Sequence, residues 1–203
     1  IETAEMIKLV DNMQRDVFFA VSNEVAHLCN TQQIKASEVI SAGKLGYGRT
    51  SLANPGSVGG PCLEKDSYLL AESINDTPAT ARIALAARLT NESVTTEAAG
   101  FISGWVKRNS NEPKVKISVL GMAFKGIPET NDMRGTPAIA LIDSLVSHCS
   151  NLEIVCWDPV VTVDEMKSLG YKSKLDLQEC IDSSSVIILV NNHPDLSSLD
   201  LKA

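Results

Sequence analysis

The sequence predicts an α + α/β protein, with a helical domain over residues 1–110 followed by a parallel-sheet α/β domain over 111–203. Three observations predict it. Apolar residues recur at three- and four-residue steps up to Arg108, a polar and breaker-rich stretch Asn109-Ser-Asn-Glu-Pro113 follows, and beyond it β-branched runs alternate with helical ones. That alternation is the pattern of strands joined by crossover helices.

From Glu2 to about Asn30, Met6, Leu9, Val10, Met13, Val17, Val21, Val25 and Leu28 mark one long amphipathic helix without proline or glycine. Lys8 and Asn12 are four apart, so they share a face. Glu5 and Asp16 extend that row, while Asn23-Glu24 meets solvent or caps a neighbour. Read from the residues alone, Lys8 and Asn12 are either a functional pair or a solvated one. A second helix covers Ala36 to Ala42 and stops at Gly43. Lys44 to Pro61 then holds five glycines and two prolines, a loop of a length that is commonly functional. A third helix follows Cys62 to about Ile74. Thr77-Pro78 opens a fourth, a threonine cap with proline at the first helical position, and this helix runs to about Arg108. It is too long and too apolar to be covered by two short helices, which predicts that part of its face, with that of the first helix, meets another subunit.

In the second half, Val115 to Leu120 reads as a strand. Thr136-Pro137 opens a helix to about Ser147, and Leu152 to Trp157 is the next strand. Helices at Val163 to Leu169 and Leu177 to Ile181 precede a third strand at Ser185 to Val190. The first strand leads into Gly121-Met-Ala-Phe-Lys-Gly126, which is not the G-x-G-x-x-G of a dinucleotide fold. This half is therefore not read as an NAD domain. Its Phe124, Lys125 and the loop to Arg134 still lie beyond the carboxyl end of a strand, where open parallel sheets bind ligands. Lys125 pairs with a phosphate there or is simply solvated.

Composition narrows the partners. A formal charge of −7 with no basic stripe argues against nucleic acid and anionic membrane surfaces. No apolar run approaches the roughly 18 to 20 residues of a membrane span. Five scattered cysteines, with no C-x-x-C pair and no histidine cluster, favour a reducing, cytoplasmic setting and no metal site. The chain opens at Ile1 directly in helical pattern, which reads as a piece of a longer protein.

The chemistry concentrates in Asn54-Pro-Gly-Ser-Val-Gly-Gly-Pro-Cys-Leu-Glu-Lys-Asp66. Glycines admit close approach and positive φ, proline stops the helix from growing backwards, and Cys62 arrives at a helix N-terminus where unpaired N–H groups and Lys65 favour a thiolate. Cys62 is either a nucleophile or a small apolar residue beside a glycine turn. Asp66, one turn on, projects to the same side. Arg49, inside the loop, is a solvent arginine or an anion clamp. A thiol hydrolase would need a histidine base, and His27, His148 and His193 are each isolated.

Three blocks in order carry a resemblance: Glu5…Lys8…Asn12, Gly59-Gly-Pro-Cys-Leu-Glu-Lys-Asp66, and Leu120-Gly-Met-Ala-Phe-Lys125 followed by Asn131-Asp-Met-Arg-Gly-Thr-Pro137. Together they resemble the UDP-glucose and GDP-mannose 6-dehydrogenase superfamily, over its central helical domain and its Rossmann-like C-terminal nucleotide-sugar domain. The family's N-terminal NAD-binding domain would precede residue 1. The resemblance implies NAD-dependent oxidation of the C6 alcohol of a UDP-sugar to the uronate in two hydride transfers, through a Cys62 thiohemiacetal and thioester, in a homodimer built on the central helices. It implies that Lys8 and Asn12 stabilise oxyanion character, and that Asp66 activates the hydrolytic water or adjusts the lysine's proton. It makes Arg49 the arginine that reaches into the neighbouring subunit's site, and the loop with Asn54, Gly56, Ser57 and Gly59 the one that lies along the sugar nucleotide. Phe124 and Lys125 would contact substrate, and Lys65 and Arg134 would touch NAD. Glu64 where the family commonly has proline, Gly135-Thr136 in place of Glu-Ser, and a slightly longer segment before Arg134 point to a divergent branch handling an N-acetylated or otherwise modified sugar. The alternative of another class is a non-catalytic module for nucleotide-sugar binding and dimerisation.

Overall fold

A computed structural model describes residues 2–46, 51–74 and 80–199. The chain divides into two compact units at Val94/Thr95. Among the described residues of the first, the regular elements are α1 (Glu2–Thr31), α2 (Ala36–Gly43), α3 (Leu63–Glu72) and the beginning of α4 (Arg82–Asn109). Thr77-Pro78, read as the opener of the fourth helix, lies outside the described residues. The division falls inside α4, ahead of the polar stretch at 109–113. The cause is packing, because Ala99, Ile102 and Val106 in the second half of α4 join the cores of the α/β unit.

The first unit has an unusually polar interior. α1 packs along α3, yet its buried residues are Asn12, Asp16, Ala20, Ser22, Asn23 and Cys29. Met6, Val10, Val21 and Leu28 of the apolar stripe are exposed. Asp16 extends the Asn12 row, and there the row is turned inward against α3. Asp16 is fully buried, and its carboxylate accepts from Arg88 Nη1 (3.0 Å), Asn91 Nδ2 (2.7 Å) and Ser67 Oγ (3.1 Å). A buried charge is tolerated only when paired and hydrogen-bonded, and this one is both.

The second unit is built on three parallel strands, β1 (Val115–Leu120), β2 (Leu152–Trp157) and β3 (Val186–Leu189), in the order β2-β1-β3. Val115 pairs with Leu152 and Ile117 with Val186. Alternate residues of β1 serve opposite faces. Ile117 and Val119 pack with Ile102 of α4 and Ile142 of α5 (Pro137–His148), while Leu120 packs with Cys180 of α7 (Leu177–Asp182) and Leu196 of α8 (Pro194–Ser197). Met166 of α6 (Val163–Ser168) joins the first of these faces. Helix starts are capped as their sequences dictate. Thr136 accepts from Ala138 N ahead of Pro137, Thr162 and Glu165 form a reciprocal box, and Asp176 accepts from Glu179 N. Among the described residues no helix is long and apolar enough to cross a membrane.

Because β1 lies between β2 and β3, the chain leaves it in one direction and later returns to its other side. That leaves a topological switch point at the carboxyl ends of β1 and β3, the place where such sheets take ligands.

Candidate active site

The turn that delivers Cys62 depends on Gly60, whose φ of +102° is a conformation that L side chains rarely adopt. Cys62 occupies the cap position of α3, and its carbonyl accepts from Lys65 N (3.2 Å) and Asp66 N (2.9 Å). The thiol is half-buried, whereas Cys29, Cys149, Cys156 and Cys180 are buried; all five are free.

One turn into α3, Asp66 is 1% exposed. Its carboxylate accepts from Asn12 Nδ2 at 2.7 Å and from Lys65 Nζ at 2.5 Å. The hydrogen bond to Asp66 raises the pKa of Lys65 above its ordinary value, with the charges of Asp66 and Cys62 adding to it and desolvation opposing. Asp66 thus joins α1 to α3 and holds a cation beside the cysteine. Lys8 stands on α1 one turn before Asn12 and is exposed. Of the four residues expected at one centre, Asn12 and Asp66 are bonded to each other, Cys62 lies one turn before Asp66 at the start of α3, and Lys8 is exposed one turn before Asn12 on α1; Lys65, expected at the cofactor, bonds Asp66 as well.

Asn54, Gly56 and Ser57 are exposed and Gly59 is half-buried, all in an irregular stretch without helix or strand. Arg49 lies outside the described residues. In the second unit, Lys125 Nζ stands 5.2 Å from the centroid of the Phe124 ring, within cation–π range. Phe124 N donates to Asp132 O at 3.0 Å, which joins the Lys125 loop to that of Arg134. Arg134 is exposed and forks onto Asp132, with Nε 3.0 Å from Oδ1 and Nη2 2.7 Å from Oδ2. Those bonds hold the Asp132 carboxyl below its ordinary pKa.

The glycines of the loop after β1 are fixed by the chain's own packing. Gly121 has φ +95°, and a Cβ there would sit 2.7 Å from Asn191 Cγ; at Gly126 it would sit 2.1 Å from His193 N. Both positions thus require glycine.

Local pattern does not single out Arg88 and Asn91, and it leaves Asn23 between solvent and a capping role. Asn23 is buried and bonded to Gly56 and Asn91. The available signal was a row of polar residues at helical spacing, Asn12, Asp16 and Asn23 on α1 with Arg88 and Asn91 on α4, where an apolar face was expected.

Cys62 stands at the start of α3, and one turn on Asp66 holds the Asn12 amide and the Lys65 amine. The chain belongs to the UDP-glucose/GDP-mannose dehydrogenase family: residues 2–93 match its central domain and residues 118–203 its UDP-binding domain. It is 32% identical over 202 residues to the UDP-N-acetyl-D-mannosamine dehydrogenase of Pyrococcus horikoshii, covering 98% of this chain and 44% of that protein. To the enzyme of that name in Escherichia coli K12 it is 28% identical, covering 94% and 45%. The solved structure of the P. horikoshii enzyme superposes with a TM-score of 0.78 at 30% identity, over 98% of this chain and 44% of that one. A UDP-glucose dehydrogenase from Pyrobaculum islandicum, at 22% identity, shares the fold with a TM-score of 0.81 over 98% and 45%. The chain thus spans less than half the length of these relatives.

Proposed function

We propose that the chain supplies the catalytic thiol and the substrate-binding parts of an NAD-dependent dehydrogenase that oxidises the C6 alcohol of a UDP-sugar to the uronate. The observation that carries this is the Asn12–Asp66–Lys65 cluster at the start of α3, immediately after Cys62. The relatives named for UDP-N-acetyl-D-mannosamine favour an N-acetylated sugar, in keeping with the departures at Glu64 and Gly135-Thr136.

NAD would supply the hydride acceptor, and Lys65 and Arg134 are this chain's cations toward its phosphates. Cys62 Sγ adds to the C6 aldehyde, so the reactive carbonyl stays bound to the protein. Lys8 and Asn12 then face the oxygen that gains negative charge, a cation and an amide donor where a preorganised site needs them. Asp66 orients the Asn12 amide through the 2.7 Å bond and keeps Lys65 charged. After oxidation to the thioester, water releases the acid, and Asp66 is the carboxylate next to Cys62 that can take its proton. Asn54 to Gly59, Phe124 and Lys125 receive the nucleotide-sugar. Arg49 completes the site of a partner subunit in a homodimer formed through the central helices.

The test is Cys62→Ser in the full-length enzyme that contains this chain. Uronate formation should be lost while UDP-sugar binding is kept, and a wild-type yield of uronate from the variant would reject the assignment.

A further inference from the structure

Asn23 lies eleven residues beyond Asn12, three turns along α1 from the cluster around Asp66. Its side chain nevertheless grips the loop. Nδ2 donates to Gly56 O at 3.0 Å, and Oδ1 accepts from Gly56 N at 2.8 Å. The second Nδ2 hydrogen goes to Asn91 Oδ1 at 2.8 Å. All the directional capacity of the amide toward the loop is used, and a flipped amide would set N–H against N–H.

The orientation is fixed from behind. Asn91 Nδ2 donates to Asp16 Oδ1 (2.7 Å) and Asp16 O (2.9 Å), so its own amide cannot turn. Asp16 in turn is paired with Arg88, whose Nη1 also donates to Leu63 O (3.0 Å) and whose Nη2 donates to Val58 O (3.0 Å). One buried network therefore holds the loop at Gly56 and Val58 and also the residue that follows Cys62.

Gly56 shows which side is left for a ligand. It needs no positive φ, and a Cβ built on it would meet nothing within 4 Å. Neither internal packing nor backbone conformation demands glycine here. The inner side of the peptide is held by Asn23, and the outer side is open backbone, the form in which glycine admits close approach of another molecule.

We propose that Asn23 is a positioning residue for substrate, presenting the Gly56 segment in the conformation that receives the nucleotide-sugar. The Asp16–Arg88–Asn91 network acts behind it. This rests on the UDP-sugar reading above and adds to it the residue that preorganises the loop, so that the ligand does not supply the ordering.

The experiment uses the full-length enzyme that contains this chain, with two readouts. Amide hydrogen exchange at Gly56 should be slow in the wild type and at least about tenfold faster in Asn23→Ala, with binding of UDP-N-acetyl-D-mannosamine by calorimetry weakened about tenfold, the order expected for losing buried hydrogen bonds. Ile40→Ala, in the buried part of α2, serves as the control. It should lower the melting temperature while leaving both readouts unchanged, which separates positioning from general destabilisation. Asn23→Asp, of equal size, covers the case in which the alanine variant does not fold. It keeps the acceptor for Gly56 N–H and loses both donated bonds, so binding should weaken while Gly56 stays protected. Equal affinity of the wild type and the Asn23 variants would overturn the positioning role alone. Failure of the wild type to bind any UDP-sugar would overturn the substrate reading and the proposal with it.

Discussion

Cys62 stands half-buried at the start of α3, while the other four thiols are buried, and a thiol reacts through its thiolate, which burial disfavours. Burial pushes the Cys156 thiol up to about 12, with the charge of Cys180 adding to the effect. Under native conditions iodoacetamide should therefore modify Cys62 first, with Cys156 protected until the second unit unfolds. Peptide mass spectrometry over time checks this, and labelling of the two at equal rates would contradict the arrangement. The same burial sets a sign for alkaline stability. The unfolded chain loses the Cys156 proton near the ordinary thiol value, about 8.5, before the folded chain does. It then binds fewer protons than the folded state, so stability falls as pH rises from there toward 12. Cys62 was legible in the sequence because glycine, proline and helix start are local signals. Its brace was only half legible: Asn12 and Asp66 could each be named, but not the bond between them, which joins residues 54 positions apart.

At the scale of elements, the buried Asp16–Arg88 pair links α1 and α4, and Arg88 also carries α3 and the glycine loop through the carbonyls of Leu63 and Val58. Arg88→Met would leave a fully buried carboxylate without its cation. It should cost roughly 3–5 kcal/mol, a large share of the stability of an ordinary domain. Urea unfolding followed by circular dichroism would show it, and an unchanged midpoint would mean that the pair carries no such weight. The strands β1 and β2 could be placed from sequence to the residue, since a β-branched run bounded by breakers has no competing period. The interior of the helical unit could not. Periodicity identifies an apolar face but not which face the fold buries, and here α1 turns Asn12, Asp16 and Asn23 inward. The short α8 was missed because four residues do not establish a period.

For the molecule as a whole, the exposed stripe of Met6, Val10, Val21 and Leu28 on α1, with Ile83 and Leu89 on α4, is the surface expected to meet a second copy. The 203-residue chain should sediment as a dimer at roughly tens of micromolar, and a clean monomer would remove that inference. The division at Val94/Thr95 was not readable from the polar stretch at 109–113, because packing of Ala99 and Val106 on the sheet, rather than local composition, decides to which unit the end of α4 belongs. The order β2-β1-β3 also bears on how the molecule assembles. The middle strand emerges first in the chain and has no hairpin neighbour; both strands that satisfy its backbone come later, the farther one ending at Leu189. Until that point is synthesised, a run of buried β-branched residues has one open edge, and its pairings are distant in sequence, which is the condition for slow folding and for capture by other chains. The helical unit bears no such delay, so during synthesis the half that holds Cys62 should be in place while β1 is still waiting for β3.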